Sequence, residues 1–541
     1  MAICKQKRGN KTYAYEYKSV REGKKVKHKF VKYLGVLDKD GNIVNKSDNL
    51  LKEIQLSQTK SYGAVAVLYN IAQELNLVDI IDDVIDRQTG FSVGELLVAL
   101  AINRVISNKS LTKMQKWACG SSLPQLMHSE PKMFSKWNYL SAFDTLCPEA
   151  KPDLYIAKIQ DLLLEQLEPK LKKDRSLLYD LTCIPYYGND CALAGRGYNS
   201  KGDPHKQIKF ALGVTKQHHF PIFHMVFHGS LMDARTSASL IANLERYKFK
   251  KVTVMTDRGI TNFDLLKWAK SQDMWLLAGV KSNVLEVGEL MKEQIPETYE
   301  NFVKQGRENS IYYISQKKVI NTVPVDVIVY VNSYRRTRIQ AERNEMLEQK
   351  VRALKELQEM KLKAAELNKE ISRIVKNAED YFTIQKSRGS FAFKINDDAI
   401  AKDSLRDGKF AIINSNPSLS AREALLEYFR KNQVERAFRV LKHTLASTKV
   451  RHRLEERVRA NMFVHFLAYY LYSMLEYKLR QKNIKESVEE TVEKLNKIEI
   501  INLTHKSNTQ PRCLNIGVFE RKVIHKLGYG ELLFSEKIYR V

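Results

Sequence analysis

The chain has 541 residues with 44% hydrophobic content, so it is long enough to bury more than one core and to form several domains. Its 89 Lys and Arg against 62 Asp and Glu give a formal net charge of +27. A charge of that size favours a polyanionic partner, either nucleic acid or an anionic membrane surface, although a generally basic proteome gives the same sign.

The cysteines and the hydropathy of the sequence indicate which cellular compartment and which class of binding partner to expect. The cysteines form no CxxC pair, which argues against a zinc ribbon or a disulfide scaffold and favours a reducing cytosol. The first residues, MAICKQKRGNK, contain no apolar signal region. The most apolar run, 462–475, is too short to span a bilayer and contains His465, so it predicts a buried helix. Nucleic acid, and not a membrane, is therefore the expected partner.

The N-terminal region predicts a β-hairpin with a lysine-rich face. Residues 11–19 alternate aromatic and polar side chains, and residues 25–34 alternate basic and apolar ones. A turn is expected between them at 21–23, and a second turn at 39–42. Two interpretations stay open: a small module that contacts DNA phosphates, or a solvated edge hairpin whose lysines prevent aggregation.

Residues 62–172 predict helices throughout, because apolar residues recur at helical spacing. Ser92 precedes a long apolar run and is its expected N-cap. The helices on either side of 107–110 form either a DNA-binding helical pair or a cap that packs on its neighbour. A further helix is expected at 153–171.

From residue 176 the pattern changes to a mixed sheet with helices, in the order β-β-β-α-β-α-β. The strands are predicted by the apolar runs SLLYDLTCI, QIKFALGVT, FPIFHMVFHG, KVTVMTDRG and MWLLAGV. Helices are expected at 236–247 and 262–270, the second with a capping box formed by Thr261 and Asp264.

Two aspartates in this sheet are candidate functional residues. Asp180 lies inside the first apolar strand, where a carboxylate is costly without a partner. Asp257 follows the fourth strand, at the end where open α/β sheets build their sites. Each also has a plain structural interpretation, since Asp180 could bond a neighbouring backbone group and Asp-Arg-Gly could form a turn.

Residues 281–421 interrupt the sheet pattern and predict an insertion. Strand-like runs occur in it at 310–331, and later at YFTIQ, FAFKI and KFAIINSN. Between them, a long helix of mixed charge is expected from Arg335 to Lys376, either as a coiled-coil arm or laid on a domain. Ser420 is the expected N-cap of the helix that follows.

The stretch YFRKNQVERAFRVLK at 428–442 predicts one continuous helix, because it contains no Pro or Gly. At about 100° per residue, one stripe of that helix carries a lone carboxylate among a tyrosine and two lysines: Tyr428, Lys431, Glu435 and Lys442. A second stripe is apolar: Val434, Phe438, Leu441 and Leu445. Taken alone, the pattern also fits a surface helix with an i,i+4 Lys–Glu pair.

The spacing Y-x2-K-x3-E-x6-K in this stretch resembles the Y-x2-R-x3-E-x6-K signature of bacterial DDE transposases of the insertion sequence four family. YDLT around Asp180 and TDRG around Asp257 resemble that family's two aspartate strands, and GSLMDARTS at 229–237 resembles the segment between them. The hairpin ending KYLG and the helix RVRANMFVHFLAYYL resemble a long-chain subgroup. Lys431 stands where the signature has Arg, which keeps the charge but not the bidentate geometry.

The resemblance implies an α/β fold with a ribonuclease H-like mixed sheet core. In that fold Asp180, Asp257 and Glu435 converge as catalytic residues and metal ligands. Three carboxylates in one site repel each other, and two divalent cations, Mg²⁺ or Mn²⁺, relieve the repulsion. Such a pair of metals activates a nucleophile and stabilises the leaving oxygen at phosphorus.

The resemblance also implies the DNA contacts and a division of the chain. Phosphates beside the scissile bond are expected to be held by Tyr428, Lys431, Arg439 and Lys442. The expected regions are an N-terminal hairpin module at 1–50, a helical, DNA-binding region at 51–172, the first part of the core at 173–280, the insertion at 281–421, the second part of the core with the glutamate helix at 422–482, and a C-terminal region at 483–541.

The implied activity is metal-dependent cleavage and strand transfer at the ends of an insertion sequence. The expected partners are double-stranded DNA, at terminal inverted repeats and at the target, and a second copy of the chain on paired ends, in the bacterial cytoplasm and on the nucleoid. Two alternatives stay open: a stand-alone nuclease of the same fold, and a basic DNA-binding protein derived from such an enzyme that is no longer catalytic.

Overall fold

The computed structural model describes most of the chain: residues 2–22, 25–44, 55–85, 90–171, 176–197, 205–247, 249, 251–305, 309–360, 362–387, 390–430, 432–445, 450–505 and 508–533. These residues form two compact units. The first unit combines Met1–Leu77, Gly90–Tyr139 and Leu475–Val541, and the second combines Val78–Thr89 and Leu140–Met474.

The helices are numbered along the chain: α1 Gly63–Glu74, α2 Leu77–Ile85, α3 Val93–Ile106, α4 Leu111–Cys119, α5 Leu123–Leu126, α6 Lys136–Leu146, α7 Leu154–Leu171, α8 Ser237–Tyr247, α9 Phe263–Ser271, α10 Leu285–Leu290, α11 Ser333–Glu359, α12 Ala364–Val375, α13 Asp397–Ser404, α14 Ala421–Phe429, α15 Asn432–Arg439, α16 Glu455–Gln481, α17 Val488–Leu495 and α18 Val518–Leu527. Short 3₁₀ turns lie at Pro131–Phe134, Asp233–Thr236, Tyr299–Asn301, Glu379–Tyr381 and Gly530–Leu532, and a π-helical turn at Val440–Thr444.

The strands are β1 Ala2–Arg8, β2 Lys11–Glu22, β3 Lys25–Leu37, β4 Ile43–Val44, β5 Gln55–Leu56, β6 Lys60–Ser61, β7 Ser176–Pro185, β8 Gln207–Thr215, β9 Pro221–His228, β10 Thr253–Thr256, β11 Trp275–Val280, β12 Phe302–Gln305, β13 Asn309–Ile320, β14 Val323–Asn332, β15 Phe382–Ser387, β16 Ser390–Ile395, β17 Lys409–Asn414, β18 Glu499–His505 and β19 Asn508–Leu514. The first unit contains the sheet β1-β2-β3-β4 and a sheet ordered β19-β18-β5, in which β6 also pairs with β18.

The N-terminal sheet confirms the predicted hairpin of β2 and β3, and adds β1 and β4 on either side of it. Gly23, in the predicted first turn, lies outside the described residues. The predicted second turn is present, because Asp38 Oδ1 accepts hydrogen bonds from the backbone N–H groups of Asp40 and Asn42. Gly41 supplies the positive φ of +82° that this turn needs.

A mixed nine-stranded sheet organises the second unit, in the order β12-β13-β14-β17-β11-β10-β7-β8-β9. β10 runs parallel to both β7 and β11, whereas the other neighbours are antiparallel. The predicted order β-β-β-α-β-α-β is confirmed by β7, β8, β9, α8, β10, α9 and β11. β8 is buried at every residue, so both of its faces are covered.

The core of the second unit is formed by this sheet with residues of helices α8, α9 and α10. Buried side chains that meet there include Leu177, Leu240, Val254, Leu266, Leu276 and Leu290. The side chains on the two aspartate strands are therefore held by a packed layer on one side of the sheet, which keeps the ends of β7 and β10 in fixed positions.

Strands from the region predicted as an insertion extend this same sheet. β14 and β17 are antiparallel neighbours, with Val331 opposite Lys409. The backbone N–H of Asn332 donates to the carbonyl of Gly408 at 3.0 Å. The segment 333–408 therefore leaves and re-enters the sheet at one point, and it has a hydrophobic core of its own: Leu347, Leu354, Leu357, Leu367, Ile371, Val375, Ala378, Phe382 and Phe391.

Two predictions for helices outside the stretch 428–442 are wrong. The long helix expected from Arg335 to Lys376 is interrupted after Glu359, and a separate helix, α12, follows. The expected capping box of α9 does not form, because Asn262 is the N-cap and its side chain accepts from Leu265 N–H. An asparagine oxygen caps a helix as well as a threonine does, so the neighbouring residue takes the N-cap position.

The predicted N-caps Ser92 and Ser420 are confirmed. Ser92 Oγ accepts from Glu95 N–H at 2.8 Å, and Ser420 forms a full capping box with Glu423. Within the described ranges, no single helix is long and apolar enough to cross a membrane, although the bent pair α1 and α2 passes that test on length and composition.

Candidate active site

The two aspartates lie side by side at one edge of the sheet. β7 and β10 are parallel, with Leu177 opposite Val254 and Leu178 opposite Met255. Continuing that register by two residues places Asp180 level with Asp257, on strands about 4.8 Å apart. Asp180 is inside β7, and Asp257 directly follows the end of β10.

A tyrosine hydroxyl from α14 contacts the carboxylate of Asp257. Tyr428 Oη donates a long hydrogen bond of 3.5 Å to Asp257 Oδ1. Burial raises the pKa of Tyr428 well above its usual value, and the negative charges of Asp257 and Asp180 raise it further. The hydroxyl therefore stays protonated and acts as a donor to Asp257.

A glycine lets the tyrosine approach the sheet. Gly279 lies in β11, on the other side of β10, one residue beyond the pair Thr256 and Ala278. A Cβ at Gly279 would lie 2.6 Å from Tyr428 Oη and 3.0 Å from Arg258 N. Sequence analysis missed this residue, although a glycine inside a predicted strand is itself a signal of close approach.

Backbone groups orient the carboxylates. Leu181 N–H donates to Asp180 Oδ1 at 2.8 Å, and Arg258 N–H donates to Asp257 Oδ1 at 2.7 Å. The local backbone contacts that sequence analysis left open as plain structural interpretations are thus present. Each contact is made with the residue that directly follows the aspartate, so it does not move Asp180 away from Asp257.

The site opens into a cleft of about 810 Å³ that Asp257, Tyr428 and Glu435 line together. Glu435 lies in the first turn of α15 and is exposed. Cations surround these acids in the cleft: Arg258, Lys281, Arg335, Arg406 and Lys409. Asp180 lies beside this lining, on the neighbouring strand. The cleft can therefore attract a polyanion to a floor that carries carboxylates.

The single helix predicted at 428–442 is wrong. α14 ends at Phe429, α15 begins at Asn432, and the chain turns π-helical at Val440–Thr444. Tyr428 and Glu435 are therefore on different helices, so the predicted common stripe does not bring them together. They meet instead by lining the same cleft from two directions.

The other predicted residues of this stretch have separate positions. Lys431 lies outside the described residues, and Arg439 is exposed at the end of α15. Lys442 is half-buried in the π turn. Burial raises the pKa of the Cys183 thiol in β7, and the charges of Lys209 and Lys442 oppose that rise. Phe438 and Leu441 are buried, as the predicted apolar stripe requires.

Ion pairs that sequence analysis missed hold the surrounding elements. Glu427, next to Tyr428, forms salt bridges with Lys216 after β8 and with Arg430. Only 15% of the Glu427 side chain is exposed, so this pair ties α14 to the sheet. The partners are distant in sequence, and no local pattern could have shown them.

A second pair supports the turn after Asp257. Lys209 in β8 forms a salt bridge with Asp233, and only 8% of the Lys209 side chain is exposed. A Cβ at Gly259 would lie 3.3 Å from Asp233 Oδ2. The segment 229–237 thus reaches the Asp257 turn. A lysine within the apolar run QIKFALGVT was the available signal, since a buried cation needs a partner.

The oxygen atoms of the two aspartates suit a hard divalent cation. Asp180 and Asp257 supply carboxylate oxygens next to one hydroxyl, which are the ligands that Mg²⁺ and Mn²⁺ prefer. Among the residues that the structure describes, however, no three His, Cys, Asp or Glu side chains are close enough to hold a metal ion together. Glu435 as the third ligand therefore stays a prediction.

Comparisons with known proteins identify the family of the chain. No curated protein matches the chain. Among solved structures, the chain is similar to a cryo-EM structure of the piggyBac transposase synaptic complex with hairpin DNA. The two align over 82% of each chain, with 10% identity and a TM-score of 0.41. The family model for the transposase DDE domain matches residues 171–471, which include Asp180, Asp257 and Glu435. The chain therefore belongs to the family of transposases that carry this DDE domain.

Proposed function

We propose that this transposase cuts DNA strands at the ends of a bacterial insertion sequence and joins them to a target. One observation carries the proposal: Asp180 and Asp257 lie level on adjacent parallel strands, and Tyr428 Oη bonds Asp257 in a cleft that Glu435 and several cations also line. The finer assignment to the insertion sequence four family, in its long-chain subgroup, rests on the signature spacing around Glu435.

The core of the second unit is proposed to be ribonuclease H-like. Its strands follow the order β9-β8-β7-β10-β11, in which the first three are antiparallel and β10 is parallel to β7. The proposal is supported by this order and by the place of the two aspartates, one within the first strand of the fold and one after the fourth.

The residues would divide the work between holding DNA and holding metal. Phosphates entering the cleft would be neutralised by Arg258, Lys281 and Lys409, and those at the scissile bond by Lys431, Arg439 and Lys442. Tyr428 would donate a hydrogen bond to a phosphate oxygen, or hold Asp257 in place, and would keep its proton.

Enzymes of this family generally use divalent metal ions, and Asp180, Asp257 and Glu435 would hold them. When bound, Mg²⁺ or Mn²⁺ ions activate the attacking oxygen and stabilise the leaving one. The attacking group would be water in the first cut and the released 3′-OH in the joining step. The proposed partners are terminal repeats, target DNA and a second copy of the chain, in the cytoplasm.

The test uses the full chain with duplexes that carry the terminal repeats of its element, in Mg²⁺. Wild-type protein should give cleaved and joined products, whereas a nuclease would give only the former and a non-catalytic DNA-binding derivative would give neither. Asp257→Asn should lower cleavage by at least about 100-fold, because it removes a metal ligand. The matched control is Asp264→Asn, which removes the same charge from an exposed residue of α9. Equal cleavage by Asp257→Asn and wild type would contradict the proposal.

A further inference from the structure

The N-terminal sheet has two chemically different faces. On one, which we name the aromatic face, the rings of β2 and β3 contact each other: Tyr13, Tyr15, Tyr17, Phe30 and Tyr33. The Tyr15 ring lies 6.0 Å from the Phe30 ring and 5.4 Å from the Tyr33 ring, between centroids. Edge-to-face contacts of this kind stabilise a thin sheet that has little core of its own.

The opposite face, which we name the lysine face, is basic. The strand register places seven lysines of β1, β2 and β3 on it: Lys5, Lys7, Lys18, Lys25, Lys27, Lys29 and Lys32. All of these residues are exposed. Among the described side chains on this face, Glu16 is the one acid, and its carboxylate lies 3.6 Å from Lys32 Nζ.

An irregularity in β3 keeps the lysines together. Tyr17 pairs with Phe30 and Glu16 with Lys32, so Val31 is an extra residue in β3. In a regular strand Lys29 and Lys32, three residues apart, would point to opposite faces. The bulge at Val31 returns Lys32 to the lysine face, as β-bulges elsewhere re-aim side chains.

This arrangement places like charges opposite each other in the sheet. Lys18 lies directly opposite Lys29 in the antiparallel pair. Like charges in that position destabilise a sheet. A polyanion laid on the face would relieve that repulsion, because each lysine could then neutralise a phosphate.

We propose that the lysine face binds the phosphate backbone of double-stranded DNA. The choice of DNA over other polyanions rests on the proposed function, but the binding does not depend on strand cleavage. An anionic membrane is disfavoured, because an interfacial surface needs large apolar side chains beside its cations, and here the aromatic rings are on the other face. Backbone contacts of this kind carry no sequence information.

The test measures binding of the full chain to a labelled duplex of arbitrary sequence by fluorescence anisotropy. EDTA is present, so catalysis plays no part, and salt is varied from about 50 to about 200 mM. The triple variant Lys18→Gln, Lys29→Gln, Lys32→Gln should bind at least about tenfold more weakly, and the slope of log K against log salt should become less negative by about 2.7.

The matched control removes the same charge from the aromatic face, with Arg8→Gln, Lys11→Gln and Arg21→Gln, which are exposed on the same sheet. Its slope should stay at the wild-type value. Near-UV circular dichroism checks that both variants fold. The proposal is overturned if the two triple variants lose affinity equally, if neither does, or if the wild type binds phosphatidylserine vesicles but not the duplex. Binding that survives in a protein unable to cleave would sink the proposed function alone.

Discussion

Gly279 lies where the phenol of Tyr428 comes closest to the sheet. The tyrosine reaches Asp257 only because this position of β11 has no side chain. Gly279 has no side-chain group that could react, and it lines the cleft beside Tyr428, so its contribution is one of position. The atom nearest to a side chain here would be Tyr428 Oη, so a substitution would first change the distance between that hydroxyl and Asp257.

Gly279→Ala should therefore lower both stability and cleavage. The new methyl group would lie 2.6 Å from Tyr428 Oη, and overpacking of that kind costs about 1–3 kcal/mol. Urea unfolding measures the loss of stability, and cleavage of the element's ends measures the displacement of Tyr428. Adding Tyr428→Phe removes the hydroxyl, so the double variant should regain part of the stability that the single variant loses.

Gly120→Ala is the control for this prediction. Its Cβ would meet nothing closer than 3.6 Å, and its φ is −81°. We expect its free energy of unfolding to stay within about 0.5 kcal/mol of wild type. If Gly279→Ala were equally silent, the close approach of Tyr428 would have no energetic role.

At the scale of elements, α14 is the part that holds Tyr428 over the aspartates. It is fixed at its start by the Ser420 capping box and near its end by the salt bridge of Glu427 with Lys216. The first of these was visible in the sequence as a serine three residues before a glutamate. The second joins residues from distant parts of the chain, which no local pattern reports.

The break between α14 and α15 was also invisible in the sequence. The stretch contains neither Pro nor Gly, so helix propensity alone predicts one helix. Propensity is a weak preference that tertiary contacts override. Tyr428, in α14, contacts Asp257 after β10, and Phe438 and Leu441 are buried beyond the break. The aspartates, in contrast, were predictable because acids interrupt apolar strands that are otherwise easy to recognise.

Ser420→Ala should test how much the cap of α14 matters to the site. Loss of a serine cap costs about 1 kcal/mol, so the midpoint of thermal unfolding should fall. Because α14 positions Tyr428, cleavage of the element's ends should fall as well, at temperatures where the variant is still folded.

Ser487→Ala is the matched control, since Ser487 forms the same capping box with Glu490 at the start of α17, in the other unit. A similar loss of stability is expected there, but without a change in cleavage. Equal effects of the two variants on cleavage would mean that the cap acts through overall stability alone.

At the scale of the whole molecule, the segment 333–408 is a self-contained addition to the sheet. Its buried residues pack against each other, and its two ends are joined by the hydrogen bond from Asn332 to Gly408. The buried salt bridge of Arg343 with Asp407 also lies within the segment. Removing it takes away β15 and β16, which pair with each other, but breaks no pair of strands in the nine-stranded sheet.

We therefore expect a chain in which a two-residue Asn-Gly turn replaces 333–407 to fold, because such a turn suits an antiparallel strand pair and keeps Gly408 opposite Asn332. Circular dichroism and a cooperative urea transition would show this. The cleft would lose Arg335 and Arg406, so DNA binding should become less salt-dependent, by about 0.9 in slope for each phosphate that these arginines no longer neutralise.

The comparison is a chain that lacks 281–421, the boundaries that the sequence pattern suggested. That deletion removes β12, β13, β14 and β17, including the neighbour of β11, and exposes buried residues of β11 such as Leu277 and Ala278, which pair with β17 in the intact chain. It should fail to give a cooperative transition. If both deletions behaved alike, the segment 333–408 would not be separable from the sheet.

The hydrogen bond between Asn332 and Gly408 also bears on the order in which the molecule folds. β14 and β17 can pair only after the chain between them has brought its ends together, and closing a loop of that length costs about 3 kcal/mol more than closing a two-residue turn. An insertion that folds by itself removes most of this penalty, because it presents the two strands to each other already aligned. We therefore expect the segment 333–408 to fold first and the pair of β14 and β17 to form late. The rate of that pairing would then depend on how fast the hydrophobic core of 333–408 forms.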